Sequence, residues 1–207
     1  MKNFLLASSI AGLMATSVMA GTVSYNTTGS TLSCNGVAGC VQNTPTAVTV
    51  GGLTVTYNTG SGSNVVTPSI INLGSLVQTG TGSNVNLTGL RLIISVTSTP
   101  PGASGFLPNG NISGTLSTSQ SGASITFSPN NTTTGFGTLP GVVIGGGLSS
   151  FTYQVLNPTL GLTSPTDADS TSIQGAVTDS SSPEPTTVLL MGAGIGAIAV
   201  LRRRSIR

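Results

Sequence analysis

Leu90-Arg91-Leu92-Ile93-Ile94-Ser95-Val96-Thr97 decides the fold class. Leu90, Leu92, Ile94 and Val96 alternate with Arg91, Ile93, Ser95 and Thr97. A period of two with β-branched residues is the mark of a strand. It sets an apolar face toward a core and a more polar face toward solvent. The same pattern recurs on both sides. Leu53, Val55 and Tyr57 alternate with Thr54, Thr56 and Asn58. Ile112, Gly114 and Leu116, then Ala123, Ile125 and Phe127, then Phe151, Tyr153 and Val155 alternate with Ser, Thr and Gln. Ile173 and Val177 share one face of a last strand near residues 171–179. Weaker strand signals lie at 22–25, 47–50, 70–77 and 141–144.

Turn chemistry separates the runs. Thr59-Gly-Ser-Gly-Ser-Asn64, Thr79-Gly-Thr-Gly-Ser-Asn84, Pro100-Pro101-Gly102, Pro108-Asn109-Gly110, Pro129-Asn130-Asn131 and Pro140-Gly141 all favour reversals. No stretch of ten residues between them has helical periodicity. The pattern predicts an all-β chain of eight to ten short strands: one antiparallel β-sandwich of jelly-roll type. A right-handed β-helix is the alternative architecture. Residues 59–65 and 79–85 resemble each other at a spacing of 20, but the spacing does not recur, so they read as two similar hairpin loops.

Both ends of the chain read as targeting segments. Residues 1–20 have a positive start at Lys2, an apolar stretch from Phe4 to Met14, and Val18-Met19-Ala20 before an expected cut after Ala20. At the other end, the run from Thr186 to Leu201 is apolar and uncharged, and Arg202, Arg203, Arg204 and Arg207 follow it. As a helix its 16 residues span about 24 Å, enough to cross a slightly thinned membrane. The arginines place the C-terminus on the cytoplasmic side. Gly192 and Gly196 form a GxxxG pair, a spacing that suits helix–helix contact in lipid and also arises by chance.

Pro183-Glu184-Pro185, the short apolar run and the arginine cluster together resemble a PEP-CTERM sorting signal, whose tail is also named an ice-binding protein C-terminal domain. The resemblance covers residues 182–207. It implies recognition by an exosortase-type membrane protease, cleavage near Pro183-Glu184-Pro185, a transient membrane tether, and delivery to the surface or biofilm matrix of a Gram-negative bacterium that makes exopolysaccharide. It implies nothing about residues 21–181, the expected β-sandwich ectodomain.

That ectodomain is nearly uncharged. It holds one basic residue, Arg91, against Asp167, Asp169 and Asp179. The chain's overall charge of +2 comes from its two ends. A basic surface for nucleic acid is absent. Low charge combined with many β-branched residues in alternation favours an ordered domain over disorder.

Few residues carry chemistry. Cys34 and Cys40 are the only cysteines, and an exported chain is expected to join them in a disulfide. Two thiolates in a chain without histidine make an incomplete zinc shell. Asp167-Ala168-Asp169-Ser170-Thr171 is the one carboxylate cluster; a solvated loop is favoured over a Ca²⁺ site, because the glycine and distal glutamate of an EF-hand are missing. With no histidine and no lysine beyond Lys2, the many hydroxyls lack a general base, and a glycosidase would need Asp179 brought to Asp167 and Asp169. Arg91 is expected to be a solvated or edge-strand charge. Asn26, Asn86, Asn111, Asn130 and Asn131 head Asn-x-Ser/Thr triplets that reflect composition.

The expectation is a non-enzymatic, cofactor-free surface or matrix protein associated with exopolysaccharide. The alternative is a carbohydrate- or ice-binding module, using a threonine-rich face around Thr46, Thr49, Thr54 and Thr56.

Overall fold

The computed structural model describes residues 21–118, 121–127, 141–146, 149–166, 170–179 and the single residue 194. The leader, Asp167, Asp169, the turn at Pro129–Asn131, the motif Pro183-Glu184-Pro185 and the arginines of the tail lie outside the described residues, as does nearly all of the expected helix at 186–201. No helix among the described residues is long and apolar enough to cross a membrane.

The described chain is all β. Its strands are β1 (Thr22–Asn26), β2 (Thr31–Ser33), β3 (Cys40–Thr44), β4 (Ala47–Val50), β5 (Leu53–Thr59), β6 (Ser61–Val66), β7 (Ser69–Gly80), β8 (Val85–Asn86) and β9 (Arg91–Ile93). They continue as β10 (Ser95–Thr99), β11 (Ala103–Phe106), β12 (Gly110–Leu116), β13 (Ser121–Phe127), β14 (Gly141–Gly146), β15 (Ser149–Val155), β16 (Thr159–Gly161) and β17 (Thr171–Asp179).

Three sheets result. A seven-stranded sheet runs β14-β15-β17-β7-β5-β4-β3, a four-stranded sheet β11-β10-β1-β6, and a six-stranded sheet β16-β13-β12-β9-β2 with β8 beside β12. All described pairings are antiparallel, so the β-helix alternative is excluded. The sheets curl into a half-barrel.

The two smaller sheets share their chain segments. β1 pairs with β10 and β2 with β9, while β11 pairs with β10 and β12 with β9. The expected single strand at 90–97 is therefore two strands, β9 and β10, broken at Ile94 and belonging to different sheets. The break keeps the apolar face intact: Leu90, Leu92, Ile94 and Val96 are all fully buried. Ile94 still accepts the Leu107 amide at 2.9 Å, so the bend leaves that carbonyl satisfied.

Residues 59–65 are also not a hairpin loop. β5 ends in the seven-stranded sheet, and after Gly60 the chain continues as β6, an edge strand of the four-stranded sheet paired with β1. Only glycine fits at this crossing, because a Cβ on Gly60 would lie 2.1 Å from the Asn72 carbonyl oxygen. Residues 81–84 remain a loop between β7 and β8.

A single apolar cluster unites the sheets. Leu53, Val55, Tyr57, Tyr153, Ile173 and Val177 enter it from the seven-stranded sheet, Val23 and Tyr25 from the four-stranded one, and Leu92, Ile112, Ile125 and Phe127 from the six-stranded one. Each buried Leu, Ile or Val contributes roughly 1.5–3 kcal/mol relative to exposure. The Tyr25 and Tyr153 rings, from different sheets, meet at 6.3 Å between centroids.

Candidate functional site

The sulfurs of Cys34 and Cys40 are bonded, as their spacing predicts. Cys34 follows β2 and Cys40 opens β3, so the bridge ties the edge of the six-stranded sheet to the edge of the seven-stranded one. Two tight turns fill the loop: the Val37 amide donates to the Cys34 carbonyl at 2.9 Å, and the Cys40 amide to that of Val37 at 3.2 Å.

Arg91 is half-buried on β9, between β12 and β2, where it is paired with Asn111 and Ser33. The edge-strand reading is thus corrected. Leu92 beside it faces the core, so Arg91 points to the opposite face of the six-stranded sheet. Asp179 ends β17, opposite Phe151 on β15. No cluster of three metal-ligating side chains occurs among the described residues.

The hydroxyls that meet inside the protein serve packing. Thr27 is fully buried between sheets. Its Oγ1 accepts the Gly60 amide at 2.8 Å and lies 3.2 Å from the carbonyls of Gly60 and Leu73. The Tyr57 hydroxyl reaches Thr27 Oγ1 at 3.0 Å and the Leu73 carbonyl. Tyr25 donates to the Asn72 carbonyl at 2.9 Å, and Tyr153 to Ser98 Oγ at 2.9 Å. Burial holds all three phenols above their ordinary range, with hydrogen bonds opposing it: from Thr27 and Ser30 at Tyr57, Ser98 at Tyr153, and the Asn72 backbone at Tyr25. Neutral phenols bonded in this way are poor nucleophiles.

The outer face of the seven-stranded sheet carries registered rows of polar side chains. Leu53, Val55 and Tyr57 point inward, so Thr54, Thr56 and Asn58 point outward. Thr49 on β4, Thr54 on β5 and Thr79 on β7 stand in direct register, with Val41 of β3 extending the row. Thr49 and Thr54 share a hydrogen bond at 2.8 Å, and Asn43 Nδ2 donates to Thr49 Oγ1 at 2.6 Å. The Thr49 and Thr54 hydroxyls thus lean together across the strands, closer than the backbone separation of about 4.8 Å. Asn58, Ser75 and Ser172 form another row across β5, β7 and β17, and Gln174 lies beyond it. No charged side chain stands in these rows.

Thr46 does not join the row. It sits in the β3–β4 turn, where its carbonyl accepts the Tyr57 amide at 2.8 Å. Thr79, which reads as the start of a loop in the sequence, takes its place. The signal for Thr79 was weak, because β7 alternates only as far as Val77 before an inward Gln78. Among the described aromatic residues only Phe106 is exposed, on β11 of another sheet. The face can therefore offer a ligand hydroxyls, amides and scattered methyls, without ring stacking.

Compared with known proteins, the chain matches no family model, no curated protein and no solved structure.

Proposed function

We propose that this chain is an exported, non-enzymatic surface or matrix protein. In this reading an exosortase-type protease recognises Pro183-Glu184-Pro185, and the domain is delivered into an exopolysaccharide matrix. We read the three sheets as a jelly-roll-like sandwich, with the seven-stranded sheet against the two smaller ones. The observation that carries the proposal is the uncharged outer face of the seven-stranded sheet, with its registered row Thr49, Thr54 and Thr79. Such a face hydrogen-bonds to neutral hydroxyl-rich polymers and neither attracts nor repels by charge. The disulfide fits an oxidising compartment. Deleting residues 183–207 should release or mislocalise the protein in cells; unchanged surface delivery would overturn the sorting part.

The alternative reading is an ice-binding module. The cross-strand register of the threonine row favours it, since threonines aligned on neighbouring strands suit an ordered lattice. Thermal hysteresis by the purified protein, without retention on polysaccharide, would select this reading.

A further inference from the structure

Gly21 and Asp179 are distant in sequence and adjacent in the fold. A carbon built on the Gly21 Cα would lie 2.5 Å from Asp179 Oδ2 and 3.4 Å from Phe151 Cε1. The Gly21 nitrogen hangs on that same Cα, about 1.5 Å away. The position is fixed from the other side. The Gly21 carbonyl accepts the Thr67 amide at 2.8 Å and Thr67 Oγ1 at 3.0 Å, and Thr67 is 1% exposed. Asp179 is held by the β17–β15 pairing with Phe151. Asp179 is also the one carboxylate among the described residues.

Gly21 is the residue that the leader reading makes the first of the exported chain. Hydrolysis of the Ala20–Gly21 amide by a membrane-bound peptidase adds water across the bond. The carboxylate leaves with Ala20, and the amine left on Gly21 takes up a proton at neutral pH. We propose that this processing creates an ion pair between the Gly21 α-ammonium and the Asp179 carboxylate, a clasp that closes the pole from which both ends of the domain emerge. The proposal rests on the export reading above, because it needs the cut after Ala20.

The clasp bears on sorting. Pro183 follows four residues after Asp179 in the sequence. The described ends of the domain, Gly21 and Asp179, thus lie side by side at one pole. Before the first cut the Gly21 nitrogen is a neutral amide and offers Asp179 no charge. After it, the pair anchors the start of the chain beside the base of the tail.

The sequence supplies a clean probe. Lys2 is the only lysine, so once residues 1–20 are gone the Gly21 amine is the single primary amine in the chain. The test uses the protein purified after export. Intact mass fixes the first residue, and acylation by a succinimidyl ester near pH 7.5 is followed by mass. Pairing keeps the amine protonated and slows the reaction. Asp179→Asn should speed acylation roughly two- to fivefold, as expected for a partly exposed pair. In the unaltered protein 1 M NaCl should speed it too, relative to a free glycyl peptide, by screening the pair; this measurement needs no variant to fold. Acylation insensitive to both changes would overturn the clasp while leaving export intact. A first residue other than Gly21 would overturn the cut, and the clasp with it.

Discussion

The hydroxyl of Tyr57 stands 3.0 Å from Oγ1 of Thr27, across the gap between β5 and the segment that joins β1 to β2. Thirty residues separate the two in sequence, and both are buried. Thr27 gathers the Gly60 amide, the Gly60 and Leu73 carbonyls and the phenol around one oxygen. The chain changes sheets on both sides of this point, at residues 27–30 and at Gly60, so the backbone groups freed by the crossings find their partner in a side chain.

Thr27→Val keeps the shape and removes that oxygen. The Gly60 amide then loses its buried partner, at about 1–3 kcal/mol for an unsatisfied group, while the Tyr57 hydroxyl keeps the Leu73 carbonyl. The expected loss of about 2 kcal/mol lowers Tm by roughly 4–8 °C for a domain of this size. Thr27→Ser should recover most of it. A double-mutant cycle with Tyr57→Phe should give a clear coupling energy. A Thr27→Val protein as stable as the parent would show that the crossing does not depend on this oxygen.

Gly60→Ala is expected to be more damaging than its size implies. The new methyl would sit 2.1 Å from the Asn72 carbonyl oxygen and 2.7 Å from the Leu73 carbonyl carbon. These are backbone atoms of a central strand and cannot swing aside. A loss beyond about 3 kcal/mol, or failure to fold, is expected. Gly146→Ala meets no atom within 4 Å and should stay within about 0.5 kcal/mol. Denaturant midpoints of the two variants make the comparison.

How far the sequence discloses this fold depends on where its order comes from. Leu53, Val55 and Tyr57 were legible because their alternation is local and each side chain meets the core by itself. The same holds for Cys34 and Cys40, whose short separation leaves few alternatives. Strand β6 was not legible: Ser61-Gly-Ser-Asn64 has turn chemistry, and it is extended because β1, some 40 residues away, supplies the ladder. The break at Ile94 was hidden because both halves keep the same inward face. The threonine row was half legible. Thr49 and Thr54 share one hairpin, whereas Thr79 arrives by the β5–β7 pairing, a register that local pattern does not set. The approach of Gly21 to Asp179 is wholly tertiary.

Reducing the Cys34–Cys40 bridge should weaken the domain by about 2 kcal/mol, the chain-entropy value for so short a loop. Melting with and without reductant measures it, and the Cys34→Ser, Cys40→Ser double variant should match the reduced protein. Two free thiols in the exported protein would contradict the bridge.

Alkali should unfold the domain through its tyrosines. Burial raises the Tyr57 phenol above its ordinary value of 10.0, and Tyr25 and Tyr153 follow for the same reason. A raised folded-state value means that the folded protein holds its proton more tightly than the unfolded chain. The contribution is therefore complete below about pH 10 and is lost as pH rises above it. Without histidine, no side chain is expected to titrate between about pH 6 and 8. Tm should fall steeply above pH 10, with the tyrosinate absorbance rising in step with unfolding. Tyrosinate absorbance that rises fully while the fold persists would contradict the burial of these phenols.

A single charge placed on the outer face of the seven-stranded sheet separates binding from stability. Thr79 and Ser172 are exposed, on β7 and β17, and each stands in one of the uncharged rows. Thr79→Arg and Ser172→Arg should leave stability within about 0.5 kcal/mol, because both side chains reach solvent. A neutral polymer lying on the face would lose contact with the row and would have to accommodate a bulky hydrated cation. Retention of the exported protein on the exopolysaccharide of its own cells should therefore drop several-fold for each variant and further for the pair. Arg91 lies on a different sheet, so Arg91→Gln should retain as the parent does. Unchanged retention of the Thr79→Arg, Ser172→Arg double variant would remove the seven-stranded face from the proposed function. A gain in retention for Arg91→Gln, which removes the kind of charge that the other variants add, would show that net charge, rather than this face, governs the association.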